Sequence, residues 1–170
     1  MDEAIKLLQT EAELSYVEAL SETLENLSFE GKAQQVEGLP SNEAVERLNS
    51  LYKKMNLEAL DKEIIRKSIQ LIFIKATKED KLQMNHQMTP DTIAYLIAYF
   101  IGEIKKDKTE KLHVSDLAAG TGNLLNIVLA HLASRGNEVT AEAVDNDDLL
   151  ISVAANSGSL MGLSEKIHYT

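Results

Sequence analysis

Val114-Ser-Asp-Leu-Ala-Ala-Gly-Thr-Gly-Asn-Leu-Leu125 decides how the second half of this chain folds. An apolar, β-prone stretch containing Leu112 and Val114 ends on an acid, Asp116. Two glycines follow, Gly120 and Gly122, and then a helical spacing of Leu124, Leu125, Val128, Leu129 and Leu132. This is the strand, Gly-rich turn and helix start of a nucleotide-binding βαβ unit. Glycine lets the backbone approach a ligand closely, and the helix N-terminus offers free N–H groups.

The turn points to one ligand class. A dinucleotide-binding turn carries a third glycine three residues after the second, where this chain has Leu125. The acid that ends the strand would repel a pyrophosphate but can pair with the ammonium of an amino-acid moiety. A second unit follows, with Val139-Thr-Ala-Glu-Ala-Val144 as the next strand, Asp145 after it and a helix from about Asp147. A carboxylate at the end of that strand can accept hydrogen bonds from both hydroxyls of a ribose. An acid for an amine and an acid for a ribose together describe S-adenosylmethionine. The plainer alternative is a generic α/β turn carrying surface acids.

A third segment, Asn85-His-Gln-Met-Thr-Pro90, leads into the apolar helix Asp91-Thr-Ile-Ala-Tyr-Leu-Ile-Ala-Tyr-Phe-Ile101, with its start near Pro90. His-Gln-Met-Thr-Pro-Asp, a helix and then Asp-Leu-Ala-Ala-Gly-Thr-Gly-Asn resembles the amino-methyltransferases of the adenine-specific DNA methylase type. The resemblance is greatest to methylase-like proteins of Gram-positive bacteria and to modification subunits of type I restriction systems. It covers residues 80–170 clearly. It implies that Gln87, Met88, Thr89 and Pro90 fold over the cofactor. It also implies that Asp116, Ala118, Gly120, Thr121, Gly122 and Asn123 form the binding turn, with Asp145 as the ribose acid. Leu117 and Ala119 replace the family's usual Pro and Cys, neither of which supplies chemistry.

The same family carries an Asn/Asp-Pro-Pro-aromatic motif after a fourth strand, which receives the target amine and stacks on an extruded base. Here the only prolines are Pro40 and Pro90, and Lys166-Ile-His-Tyr-Thr170 reads as the third strand. The resemblance therefore implies a chain holding the donor pocket without the amine pocket, and inactive by itself. No catalytic residue is assigned. The first strand should lie on an open sheet edge and apolar sheet surface should be bare, so self-association, a homo-oligomer, is expected.

Charge argues against a strong nucleic-acid footprint. Residues 1–80 carry 10 basic and 16 acidic side chains, net −6, and residues 81–170 carry 7 and 11, net −4, together the −10 of the chain. Lys and Arg are scattered, clustering only in short pairs such as Lys53-Lys54 and Lys105-Lys106, which suit a solvated helix surface better than phosphates. If the intact protein touches DNA, this acidic stretch is not clearly the part that holds it. Absence of cysteine excludes disulfides and thiolate metal sites. With no basic, apolar leader and no apolar stretch long enough for a bilayer, the expected setting is the cytoplasm, without a membrane partner. Ile93 to Ile104, the longest apolar candidate, reads as a core helix.

The first eighty residues read as helices. Ile5, Leu8, Ala12, Tyr16, Leu20, Leu24 and Leu27 predict one long amphipathic helix. Gly31 and Gly38-Leu-Pro40 break the pattern, and Ser41 or Asn42 caps a second helix with Val45, Leu48, Leu51, Tyr52 and Met55 inside. A third runs from about Leu57 through Ile64, Ile65, Ile69, Ile72 and Phe73, unless Asp61 marks a later start. Lys78-Glu-Asp-Lys81 is a polar break.

No other constellation competes. His86, His113, His131 and His168 lack the partners and spacing of a zinc site. Ser115 lacks a nucleophile elbow, and Asp145, Asp147 and Asp148 lack the rest of a calcium loop. No metal is expected. The fold class is α/β: an N-terminal helical domain over 1–80, then over 81–170 the first half, about three parallel strands, of a Rossmann-like class I methyltransferase domain. The function expected is methyl transfer from S-adenosylmethionine to an amine. The alternatives are a non-catalytic helical interaction module on a retained methylase scaffold, and a methyltransferase acting on a protein or a small molecule.

Overall fold

The computed structural model describes residues 1–81, 88–107 and 109–170. Two compact units make up the chain, Met1–His86 and Gln87–Thr170.

The first unit is helical. Its opening pattern, expected to form one long helix, forms two: α1 over Asp2–Ala12 and α2 over Tyr16–Ser28. Glu13 takes a left-handed conformation at φ 53°, which ends α1. Ser15 then starts α2 with a capping box: its hydroxyl accepts from Glu18 N at 3.2 Å, and its own N–H donates to Glu18 Oε2 at 2.8 Å. The apolar spacing runs on across the break because both helices face one core. That core takes in Ile5, Leu8, Tyr16, Leu20 and Leu24. Ser41 caps α3 (Asn42–Met55), and Asp61 caps α4 (Lys62–Glu79), so the later start is the one adopted. Leu57–Ala59 forms a separate 3₁₀ turn, and Lys78 and Glu79 remain helical, placing the polar break at Asp80.

Long-range polar contacts fix these helices. The Asp80 carboxylate accepts the N–H groups of Tyr16 (3.0 Å) and Val17 (2.8 Å), satisfying two orphan donors at the start of α2. Lys75 Nζ donates to Asp2 Oδ1 at 2.6 Å and lies 5.2 Å over the Tyr16 ring. The Tyr16 hydroxyl donates to the same Asp2 oxygen. Lys75 and Tyr16 together hold the Asp2 carboxyl well below its ordinary value, at about 2.

The second unit begins, after Pro90, with α5 (Asp91–Ile104), followed by β1 (Leu112–Asp116), α6 (Asn123–Ser134), β2 (Val139–Ala143), α7 (Asp148–Leu160) and β3 (Ile167–Tyr169). The three strands are parallel in the order β1-β2-β3, with Leu112 opposite Val139, Asp116 opposite Ala143, and Ala143 opposite Tyr169. β1 therefore lies at an edge of the sheet, as expected. Leu112, Val139, Ala141, Ala143 and Ile167 point into a core shared with Leu125, Val128, Leu129 and Leu132 of α6. Gly158 of α7 has its Cα against Tyr169; an added Cβ would stand 2.0 Å from the tyrosine oxygen.

Two expectations are corrected here. The sheet face away from this core is polar, not apolar: His113, Ser115, Thr140 and His168 are exposed and Glu142 is half-buried, with His113 Nδ1 3.0 Å from Thr140 Oγ1. Strict alternation in Leu112-His-Val-Ser and Val139-Thr-Ala-Glu puts every polar side chain on one face. Nor is α5 a core helix throughout. It buries its small residues, Ala94, Ala98 and Gly102, and packs closely on α6, while Leu96, Tyr99 and Phe100 are about half exposed and Ile104 is 77% exposed. Small residues at four-residue spacing let two helix backbones approach, with Ile97 and Ile101 at the border of the core and the other large side chains turned outward. No helix among the described residues is long and apolar enough to cross a membrane.

The Asp2 cluster predicts the acid response of the helical unit. Because the folded carboxyl is depressed to about 2 from an ordinary 3.8, its stabilisation is fully present above pH 4 and fades as pH falls toward 2. Thermal unfolding should show Asp2→Asn less stable than the parent at pH 6. The gap should close near pH 2; a constant gap would remove the ionised carboxylate from the account.

Candidate functional site

The turn from Asp116 to Asn123 is built by backbone contacts to the end of β2. Ala119 N donates to Val144 O at 3.0 Å, and Val144 N donates to Asp116 O at 2.8 Å. Gly122 N returns to Ala119 O at 2.8 Å. Gly120 and Gly122 take φ values of 52° and 73°, in the left-handed region where glycine is favoured. Gly122 also needs its missing side chain: a Cβ there would meet the Ala154 Cβ of α7 at 3.2 Å.

Both carboxylates singled out in the sequence turn toward this loop. Asp116 Oδ1 accepts the N–H of Ala118 at 3.2 Å. Asp145, two residues past the end of β2, accepts Gly120 N at 2.7 Å on Oδ2 and Asp147 N at 3.0 Å on Oδ1. Each is half-buried, and neither has a basic partner among the described residues. Asp116 Oδ1 and both oxygens of Asp145 keep a second lone pair beyond the N–H each accepts, so a ligand cation or hydroxyl can still be received.

Thr89 is brought to the same place. The Asn123 side-chain amide donates to Thr89 O and to Asp91 Oδ1, both at 3.3 Å. Met88 and Thr89 are half-buried and Pro90 is exposed. Thr121 and Asn123 are buried, Gly120 is half-buried and Ala118 is exposed. Gln87 lies outside the described residues, as do Asn85 and His86. Asp116, Gly120, Asn123, Asp145 and Thr89 thus converge at the carboxyl ends of β1 and β2, where open α/β sheets bind ligands.

Two residues with a part in this geometry carried no functional reading in the sequence. Asp91 receives the Asn123 amide. Asp147 caps α7, its Oδ1 accepting Leu149 N (3.0 Å) and Leu150 N (3.1 Å), and gives its own N–H to Asp145. Its signal was an acid just before an apolar helix, the ordinary mark of an N-cap. These carboxylates are thus engaged by N–H donors, and no group able to hold a metal occurs among the described residues. An open groove lined by Val139, Thr140, Gly162 and Lys166 lies at the amino ends of β2 and β3, the wrong end of the sheet for this chemistry.

The arrangement fits a cationic, ribose-bearing ligand. Two uncompensated carboxylates repel phosphates and attract an ammonium or sulfonium. Gly122, at the start of α6, supplies no side-chain acceptor, so the first N–H groups of that helix have no side-chain cap.

Comparison with known proteins bears on the fold that carries this site. Residues 1–77 match the family described as the YtxK N-terminal helical domain. The chain is 35% identical over 161 residues to a Bacillus subtilis protein, the uncharacterized protein YtxK, covering 95% of this chain and 47% of that protein. It superposes with a TM-score of 0.81 and 40% identity on a Listeria monocytogenes crystal structure provisionally described as a class I S-adenosylmethionine-dependent methyltransferase. That match covers 95% of this chain and 48% of the other. The chain thus spans about half the length of the relatives it matches. Its helical region and three parallel strands match the first half of a Rossmann-like methyltransferase fold.

The two glycines of the turn should respond differently to substitution. Gly120→Ala meets nothing within 4 Å and carries backbone strain alone, about 1–2 kcal/mol. Gly122→Ala adds the clash with Ala154 and should cost about 1 kcal/mol more. Urea unfolding of both variants gives the order; equal losses would mean that α7 yields freely at Ala154.

Proposed function

We propose that the cleft over the Gly-rich turn binds S-adenosylmethionine and that the intact protein is a methyltransferase acting on an amine. By the sequence resemblance that amine is the exocyclic amine of adenine in DNA. The observation that carries the reading is the pair Asp116 and Asp145, two half-buried carboxylates at the ends of neighbouring strands, both turned to one glycine turn and without a basic partner among the described residues. A dinucleotide site of this fold also uses an acid on its ribose, so Asp116 is the discriminating charge, since a carboxylate there would repel a pyrophosphate. The likeness to the Listeria protein, described in the same terms, supports the same cofactor.

When bound, the donor supplies a methyl group on a sulfonium, already electrophilic, so the protein's task is alignment in a dry site. Asp116 receives the ammonium of the methionine moiety, and Asp145 receives the ribose hydroxyls on the lone pairs its N–H partners leave open. Gly120 and Gly122 allow the donor to lie against the backbone, with Thr121 beside it. Met88, Thr89 and Pro90 form the opposite wall, together with Gln87 by resemblance. The described residues include no group placed to receive an amine, so acceptor recognition and DNA contact are assigned to other parts of the intact protein. The net charge of −10 accords with that division. The proposed setting is the cytoplasm.

Isothermal titration of the chain with S-adenosylmethionine should give one site, and Asp145→Ala should weaken it by about 1.5–3 kcal/mol, the range for hydrogen bonds to a charged group. The same chain with labelled donor and unmethylated DNA should give no transfer above background. An unchanged affinity in the variant removes the ribose role, and clear turnover removes the division between donor and acceptor parts.

The β1 edge and the apolar side of α5 also lead us to propose self-association. An unpaired strand edge and half-exposed Leu96, Tyr99 and Phe100 are surfaces that recruit another chain. Light scattering at high micromolar concentration should show a dimer or larger species; a strict monomer would refute it.

A further inference from the structure

Asn123 stands in the binding turn, yet its side chain reaches away from the turn to the start of α5. It is the first residue of α6 and only 5% exposed. Its amide nitrogen carries two hydrogens, and two acceptors on one distant segment lie within reach, Thr89 O and Asp91 Oδ1, each at 3.3 Å. Pro90, between those two acceptors, adds no hold of its own toward α6. It has no N–H to give, its side chain does not cap α5, and its carbonyl accepts from Ile93 and Ala94 within the helix. One buried amide thus joins the N-terminus of α5 to that of α6, and both helices start at the carboxyl end of the sheet.

We infer that Asn123 is a positioning residue: its side chain sets where Thr89 stands over the Gly-rich turn, and it acts on the donor through that segment rather than by touching the donor. The inference rests on the proposed S-adenosylmethionine site. An amide is suited to the task because both acceptors are oxygens, one a full carboxylate, and only a donor-rich, uncharged group satisfies both without importing charge into a buried place. The substitution Asn123→Asp would set two carboxylates against each other and face the Thr89 carbonyl with no hydrogen. Adding Asp91→Asn to it exchanges the two side chains and restores the 91–123 donor–acceptor pair in the reverse direction, leaving the Thr89 carbonyl without its donor.

The test uses the full chain in four forms: parent, Asn123→Ala, Asn123→Asp, and Asn123→Asp combined with Asp91→Asn. Hydrogen exchange reads the amides of residues 91–95, and isothermal titration reads S-adenosylmethionine affinity. Both single variants should speed exchange over 91–95 and weaken affinity about tenfold, Asn123→Asp the more. The combined variant should regain the exchange protection carried by the 91–123 pair and only part of the affinity, because the Thr89 carbonyl still lacks its donor, and this distinguishes positioning from general damage to the fold even if Asn123→Asp alone proves too unstable to titrate. Weaker affinity with unchanged exchange would overturn the inference, because Asn123 would then touch the donor itself. Faster exchange with unchanged affinity would overturn it too, since the segment would not be a wall of the site. A combined variant no better than the single one would do the same. If the parent binds no S-adenosylmethionine, the proposed function falls and this inference with it; if the parent binds and the variants do not respond, the inference falls alone.

Discussion

Two backbone N–H groups, those of Gly120 and Asp147, donate to the two oxygens of Asp145 at 2.7 and 3.0 Å, and the shape of the site follows from that one carboxylate. Gly120 belongs to the turn after β1, and Asp147 belongs to the approach to α7. A single side chain at the end of β2 therefore spans two crossovers. With Ala119 N on Val144 O and Val144 N on Asp116 O, it stitches the ends of the first two strands into one rim. Charge-assisted hydrogen bonds of this kind are stronger than neutral ones and hold partly buried backbone that would otherwise be unsatisfied. Remove the carboxylate, and the glycine turn loses the contact that holds Gly120 against the end of β2.

The sheet behind that rim is less symmetric than its parallel pairing suggests. Parallel sheets commonly bury both faces and read as continuous apolar runs. Here Leu112, Val114, Val139, Ala141 and Ile167 line one face, while His113, Ser115, Thr140 and His168 line the other in contact with solvent. α5 is divided in the same way. Its small residues meet α6, and at Gly102 the vacant Cβ position is filled by the Arg135 guanidinium, whose Nη1 donates to Glu103 at 3.0 Å. Larger residues at Ala94, Ala98 or Gly102 would push α5 off α6, so Leu96, Tyr99, Phe100 and Ile104 face outward while Ile97 and Ile101 pack at the border of the core.

In the helical unit the polar contacts carry the specificity that apolar spacing lacks. Asp80 caps α2 from 63 to 64 residues away, and Asp2 gathers Lys75 and Tyr16 from two other helices. Apolar faces alone allow helices to slide or rotate against each other. Caps and ion pairs made across the bundle choose one arrangement among them.

Local chemistry was written in the sequence. Period-two and period-four spacings, Ser41 and Asp61 as caps, the glycines of the turn and the acids closing two strands all act over a few residues. The parallel strands and the placing of Asp116, Gly120 and Asp145 at the strand ends could therefore be read from the chain alone, whereas the later start of α4 at Asp61 stood only as an alternative to one near Leu57. The break between α1 and α2 was present too, in Ser15-x-x-Glu18, but the apolar period masked it because both helices serve one core. What only the tertiary structure decided were interactions between distant parts of the chain. Asn123 could not be matched to Thr89 and Asp91, nor Asp80 to the start of α2, because nothing in a linear spacing says which buried donor will meet which acceptor. The outward face of α5 was hidden for a related reason. Hydrophobicity says that a helix wants burial, and only the closeness of its neighbour, allowed by Ala94, Ala98 and Gly102, determines which of its residues receive it.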